Sequence, residues 1–162
     1  MAAKPAYMPE GAGEAFKHIN AVTAPTIDDL KLMVYLEASG QMGYGDLAND
    51  APNEAVAGLL NANGREEVAH AHRVAKAIRA ISGEEFAVPA PAENPYAKSV
   101  PRKLDRAVLE SLVKAENNGK TLYDTWADNT ANSEAAELFR QNGVEEAKHG
   151  ARALEAIALL AP

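Results

Sequence analysis

The sequence predicts an all-α protein: a bundle of four long helices, built from a duplicated helix hairpin, with a long crossover between its second and third helices. Three observations predict it. Residues 30–78 and 109–157 match at a fixed offset of 79, with about 17 of 49 positions identical against roughly 3 by chance, which marks a duplicated structural unit. Apolar residues make up 47% of the chain and aromatics only 6%, an Ala- and Leu-rich balance suited to closely packed helices. Apolar positions recur at helical spacing, and Gly and Pro lack the short regular spacing of a strand sandwich.

The whole-chain properties bound the function. A length of 162 residues suits one domain with a substantial core. A net charge of −7 argues against nucleic acid and anionic membrane as partners. There is no cysteine, so disulfides, thiolate zinc sites and iron–sulfur or Cys₄ iron centres are excluded within this sequence. Any metal must sit on oxygen and imidazole. Residues 1–16 show no signal-peptide core, and no apolar run approaches the roughly 18 residues of a membrane span. The expectation is a cytoplasmic protein.

Residues 1–25, rich in Pro, Gly and Ala, read as an extended arm with a short helical turn at Glu14–Ile19, ahead of a bundle over residues 26–162. His18 lies in the arm and reads as a surface histidine. Thr26 with Asp28 and Asp29 is a helix start, the acids lying where the helix dipole favours them. The first bundle helix carries Leu30, Met33, Val34, Glu37, Gln41, Tyr44 and Ala48 on one face and stops near Asn49–Pro52. The second runs from about Asn53 to Ile81, ending before Ser82-Gly83, with Leu60, Glu67, His70, Val74 and Ile78 inward. The Pro-rich stretch Ser82–Pro101 is long enough to cross the length of a bundle. The third helix is expected to start near Ser99-Val100-Pro101, with Ser99 as cap and Pro in the first turn. It carries Leu109, Leu112, Val113, Glu116, Tyr123 and Ala127 inward and ends near Asn129. The fourth runs from about Asn132 to Leu160, with Phe139, Glu146, His149 and Ile157 inward. Trp126 has no counterpart in the other repeat and reads as core or interface.

The duplication carries a polar constellation. Glu37, Tyr44, Glu67 and His70 recur as Glu116, Tyr123, Glu146 and His149. Glu and His at i and i+3 project from one face of a helix and can grip one metal. Two such pairs with two lone Glu make the ligand set of a di-iron carboxylate site in a four-helix bundle. Four carboxylates aimed into a core are costly unless paired, and two divalent cations balance them. A lone Glu-x-x-His would read as surface Glu and core His; two matched copies do not.

These residues resemble the ferritin-like superfamily and, within it, the rubrerythrins, over roughly residues 26–160. The resemblance rests on Glu37, Glu67-Val-Ala-His70, Glu116, Glu146-Ala-Lys-His149, the duplication and the long crossover. It implies a ferritin-like four-helix bundle in which Glu67 and Glu146 bridge two irons, Glu37 and His70 completing one and Glu116 and His149 the other. It implies for Tyr44 and Tyr123 hydrogen bonds that orient carboxylate ligands, with plain core packing as the alternative. Two departures stand out. The rubredoxin-like iron domain usual in rubrerythrins is absent from this sequence. The extra Glu expected one turn past Glu116 is Gly119, twinned by Gly40. These glycines either leave open space beside the metals for O₂, peroxide or water, or permit close helix approach. Asn63-Gly64 and Asn142-Gly143 are poor helix formers and read as local helix distortions. Glu66 and Glu145 read as surface or helix-contact charges, and His72 as a surface residue.

The resemblance implies a non-haem di-iron oxidoreductase that reduces hydrogen peroxide or O₂ with an external electron donor such as a rubredoxin-type protein. Ferroxidase or iron storage is the alternative. A substrate oxygenase and a bundle with a structural metal are further readings, and fold alone does not choose among them. Two iron ions per chain are expected, manganese and zinc being the other ions the donor set admits. The expected assembly is a homodimer or larger homo-oligomer.

Overall fold

The structure is a computed structural model and describes residues 8–160. Five α-helices form it: α1 (Ala12–Ile19), α2 (Ile27–Asn49), α3 (Glu54–Ser82), α4 (Arg106–Asn129) and α5 (Ser133–Ala158). A single 3₁₀ turn, Pro91–Glu93, lies in the crossover, and no strand occurs among the described residues. α2 packs on α3 and α4 on α5 within the two hairpins, while α3 packs on α5 across them. None of these helices is long and apolar enough to cross a membrane.

Helix starts follow side-chain chemistry. Thr26 and Asp29 form a reciprocal capping box at α2: the Thr26 hydroxyl accepts from the Asp29 N–H at 3.2 Å, and the Asp29 carboxylate accepts from the Thr26 N–H at 2.9 Å. Asn53 caps α3 by accepting from the Val56 N–H, and its repeat twin Asn132 caps α5 by accepting from the Ala135 N–H, each at 2.9 Å. That recurrence is the duplication expressed as two equivalent helix starts. α3 ends where Gly83 takes a left-handed φ of 75°, which a glycine adopts without Cβ strain.

The start of α4 differs from the sequence expectation. The helix begins at Arg106, with Asp105 rather than Ser99 as cap; the Asp105 carboxylate accepts from the Val108 N–H at 2.9 Å. Ser99 donates instead to Asp46 at 2.7 Å, the Val100 N–H donates to Asp46 at 2.9 Å, and the Leu104 N–H donates to Asp50 at 2.6 Å. Two carboxylates near the end of α2 thus hold residues 99–104 extended along the bundle. The Val100 and Leu104 N–H groups thus have partners outside a helix, and Pro101 has no N–H to give one. Upstream in the same crossover, Asn94 Nδ2 donates to the Tyr35 carbonyl at 2.7 Å.

The helical turn expected at Glu14–Ile19 is the eight-residue α1, whose Ala15 and Ile19 are buried in the same core cluster as Leu30, Met33 and Val34 of α2. His18 is half exposed, with Nε2 2.7 Å from the Asp29 carboxylate, and His72 is exposed. Trp126 is fully buried core and donates from Nε1 to the Val22 carbonyl at 2.8 Å, tying down the α1–α2 connection.

The core has two apolar clusters. One gathers Leu30, Leu32, Leu36, Val74, Ile78, Tyr123, Trp126 and Phe139. The other gathers Tyr44, Leu47, Val56, Leu60, Leu109 and Ala156. On α2 and α3 the chain passes from one cluster to the other through Glu37 and through Asn63–His70, so a polar layer lies between them.

Candidate metal centre

Glu37, Glu67, His70, Glu116, Glu146 and His149 are all buried, and both imidazoles are fully so. The structure brings the six into one layer. One oxygen or nitrogen from each of Glu37, Glu67, His70 and Glu146 falls within a 4.8 Å span, as do atoms of Glu116, Glu146 and His149, and of Glu67, His70 and His149. Each histidine points Nδ1 at the carboxylates. His70 Nδ1 lies 3.1 Å from Glu146, 3.6 Å from Glu37 and 3.9 Å from Glu67. His149 Nδ1 lies 3.2 Å from Glu67 and 3.4 Å from Glu116. Each imidazole thus reaches the Glu-x-x-His carboxylate of the other hairpin. The two rings stack, with centroids 5.1 Å apart and planes 18° apart.

The other ring nitrogen is held from behind. His70 Nε2 lies 3.1 Å from Glu145, and His149 Nε2 lies 3.0 Å from Glu66. An ionised carboxylate only accepts, so each Nε2 carries a proton, and a neutral ring turns the lone pair of its Nδ1 to the centre. Among the described residues, His70 Nδ1 and His149 Nδ1 are the only fully buried side-chain N or O atoms without a hydrogen-bond partner. Two unpartnered Nδ1 atoms facing four buried carboxylates are the arrangement that a pair of metal ions satisfies.

Behind each histidine stands a brace that the sequence reading did not find. Arg152 donates to both oxygens of Glu66 at 2.7 and 3.0 Å and to Asn63 Oδ1 at 3.1 Å. Asn63 Nδ2 in turn donates to the His149 carbonyl at 3.2 Å. The twin brace runs Arg73 to Glu145 at 2.8 and 2.9 Å and to Asn142 at 3.1 Å, with Asn142 Nδ2 donating to the His70 carbonyl at 3.3 Å. Bidentate Arg–carboxylate pairs fix orientation as well as charge. The Arg152 guanidinium, against a smaller opposing effect of burial, holds the Glu66 carboxyl down at about 2. Glu66 and Glu145 are therefore partners of the histidines rather than plain surface charges. Asn63 and Asn142 are buried bridges within unbroken helices rather than marks of helix distortion. One signal was available: all three brace residues recur at the offset of 79 without belonging to the Glu and Glu-x-x-His pattern.

The tyrosines cross between hairpins. Tyr44 donates its hydroxyl to Glu116 and Tyr123 donates to Glu37. Burial, then the charges of nearby glutamates, lift both phenols well above the ordinary tyrosine range, so both remain donors. Burial would raise Glu37 as well, but His70, Glu67 and Tyr123 outweigh it and hold that carboxyl low. Glu116 is held low against burial by His149, Glu146 and Tyr44. Glu67 and Glu146 are pushed well above the usual carboxylate range, first by burial and then by surrounding carboxylates. Burial lowers His70, yet Glu37, Glu67 and Glu145 prevail and raise it to about 9. Four acids in one dry layer cannot all ionise alone; protons or cations must share it.

The two glycines beside the layer are steric. A Cβ on Gly40 would lie 2.7 Å from Glu67 Cγ, and one on Gly119 would lie 2.8 Å from Glu146 Oε2. The space that Gly40 and Gly119 leave is filled by these glutamates, not left open. Gly64 and Gly143 face the next helix, their Cβ positions 3.0 Å from Tyr44 Cβ and 3.1 Å from Asp124 Oδ1.

A helical bundle in which two hairpins each contribute one Glu and one Glu-x-x-His to a buried centre defines a ferritin-like protein with a carboxylate–histidine cluster able to bind metal. A family model described as Rubrerythrin matches residues 29–157, and the chain belongs to the rubrerythrin family. No curated protein and no solved structure matches the chain.

Proposed function

We propose that the chain is a non-haem di-iron oxidoreductase that reduces hydrogen peroxide, or O₂, with electrons from an external donor such as a rubredoxin-type protein. In this reading Glu37 and His70 would hold one iron and Glu116 and His149 the other, with Glu67 and Glu146 serving both. The observation that carries it is the pair of buried, unpartnered Nδ1 atoms facing four carboxylates. When bound, a ferrous pair supplies the two electrons needed to cleave a peroxide O–O bond to water.

The chain's own residues do the rest. Four carboxylates and two neutral imidazoles match two divalent ions in charge, and their oxygen–nitrogen character suits iron, with manganese next and zinc as an inert competitor. Glu66 and Glu145 keep the proton on Nε2 so that Nδ1 stays a donor to metal. Tyr44 and Tyr123 each occupy one oxygen of a terminal carboxylate and so fix how it turns. The flanking apolar clusters keep bulk water away from the centre. The sequence contains no cysteine for a thiolate iron relay, which is why the donor is placed outside it.

The test is anaerobic loading with Fe²⁺ followed by stopped-flow mixing with H₂O₂ or with O₂. Oxidation much faster by peroxide than by O₂ supports the proposal. Fast oxidation by O₂ with continued uptake of further iron would replace it with ferroxidase and storage.

A further inference from the structure

We propose that Tyr123 and Trp126 form a one-electron relay from the surface near Val22 to the Glu37 side of the centre. The relay rests on the peroxide-reducing reading above. Tyr123 donates its hydroxyl to Glu37 Oε1, while the other oxygen, Oε2, lies 3.6 Å from His70 Nδ1. The Tyr123 ring meets the Trp126 indole edge to face, with centroids 5.7 Å apart. Trp126 Nε1 in turn donates to the Val22 carbonyl at 2.8 Å, and Val22 lines a surface groove with Asn20, Leu122 and Thr125. Phenol and indole are, after thiols, the side chains that most readily give up one electron, and the chain has no cysteine.

The duplication separates this pair from ordinary packing. Tyr44 repeats Tyr123 and donates to Glu116 as Tyr123 does to Glu37. At the places equivalent to Trp126 and Phe139, however, the first repeat carries Leu47 and Leu60, both buried. Leucine fills those core positions in the twin hairpin, so packing alone does not call for an indole. Among the described residues, Tyr44 has no aromatic neighbour beyond the His149 ring. The two half-sites share a tyrosine, and the Glu37–His70 half alone continues through an oxidisable ring toward the surface.

The chemistry gives the relay its use. Peroxide takes two electrons, whereas a rubredoxin-type donor delivers one at a time. When peroxide arrives at a half-reduced centre, one electron is missing. Tyr123 supplies it and passes its phenolic proton to Glu37 along the existing hydrogen bond. Trp126 then gives one electron to the Tyr123 radical, which takes its proton back from Glu37. The external donor reduces the Trp126 radical cation from the Val22 groove. In sum, H₂O₂, two protons and two electrons give two waters, one electron leaving the metal pair and the other leaving the donor by way of Trp126 and Tyr123.

The experiment loads the full chain anaerobically with Fe²⁺, withdraws one electron per iron pair with ferricyanide, mixes with H₂O₂ and freezes the sample within milliseconds for electron paramagnetic resonance. The expected result is an organic radical in the half-reduced protein and none in the fully reduced one. Trp126 is the sole tryptophan, so growth on indole-deuterated tryptophan identifies its radical without any substitution. Trp126→Phe should abolish the indole signal while iron content stays at the parent's value. Phe139→Leu, which places the twin's residue against the same indole, should keep the signal, because phenylalanine is not oxidised in the relay. Peptide mass spectrometry after repeated peroxide addition without a donor should find oxidised Trp126 in the iron-loaded protein and not in the metal-free one. Iron oxidised by peroxide with no organic radical, or a signal insensitive to tryptophan deuteration and unchanged in Trp126→Phe, overturns the relay and leaves the peroxide-reducing reading standing. Iron that peroxide does not oxidise overturns that reading and the relay with it.

Discussion

Tyr44 donates its hydroxyl to Glu116, a carboxylate on the other hairpin, and Tyr123 returns the bond from that hairpin to Glu37. The duplicated halves are therefore laced together at the centre itself. Removing either hydroxyl leaves one carboxylate oxygen free to turn. Tyr44→Phe and Tyr123→Phe are each expected to lower metal affinity or turnover by about 10–100-fold, the usual effect of losing a partner behind a ligand. Competition titration with a chromophoric chelator measures it. Wild-type affinity and turnover in both variants would mean that the tyrosines only pack.

The braces behind the histidines predict a second effect. Glu66→Ala leaves His149 Nε2 and the Arg152 guanidinium without their shared acceptor. The imidazole loses its preferred tautomer, and metal affinity should fall by roughly 10–100-fold. Glu145→Ala should act alike on the His70 side. A Glu66→Ala protein that binds metal as tightly as the parent would remove the brace from the account.

Gly40 and Gly119 test how tightly the bridging carboxylates are seated. Alanine at 40 meets Glu67 at Cγ and Cβ, near the root of the side chain, whereas alanine at 119 meets Glu146 at its carboxylate end. Gly40→Ala should therefore destabilise by about 1–3 kcal/mol, as overpacking does. Gly119→Ala should cost less. Gly58, in α3 with nothing within 4 Å of its Cβ position, is the control, where alanine should stabilise by up to about 1 kcal/mol through helix propensity. Chemical denaturation of the metal-free protein ranks the three, and equal behaviour at 40 and 58 would contradict the packing.

The α2 capping box gives a pH dependence away from the centre. Burial would raise the Asp29 carboxyl, but hydrogen bonds from Thr26 and His18 outweigh it and hold it below its ordinary value. A carboxyl depressed in the folded state adds stability above its unfolded pKa, near 4, and loses it as pH falls through the folded value. Asp29→Asn should cost about 1 kcal/mol at neutral pH, and the penalty should vanish in acid. Melting curves of both proteins from neutral pH into acid check it; a constant gap would show that the charge is irrelevant.

Much of this architecture was legible because helices impose a strict geometry on spacing. Glu67 and His70, three apart, must share a face, and the offset of 79 forces their twins to meet them across an axis. Thr26 was legible as a cap because its partner lies three residues along the same chain. Ser99 misled because its hydroxyl bonds to Asp46, more than fifty residues away, and sequence spacing carries no trace of that contact. Glu66 sits one residue from a ligand, and only the packing of α3 on α5 aims it at His149. Gly40 showed the same limit: an absent side chain marks space, but the sequence does not say that Glu67 fills it.

The central claim is that this layer binds two metal ions through six side chains, and an anaerobic Fe²⁺ titration by equilibrium dialysis tests it most directly. The account predicts two ions per chain for the parent protein, with loss of both when Glu67→Ala and Glu146→Ala are combined and the helical fold is retained by circular dichroism. No tight binding by the parent, or unchanged binding in the double variant, would contradict it.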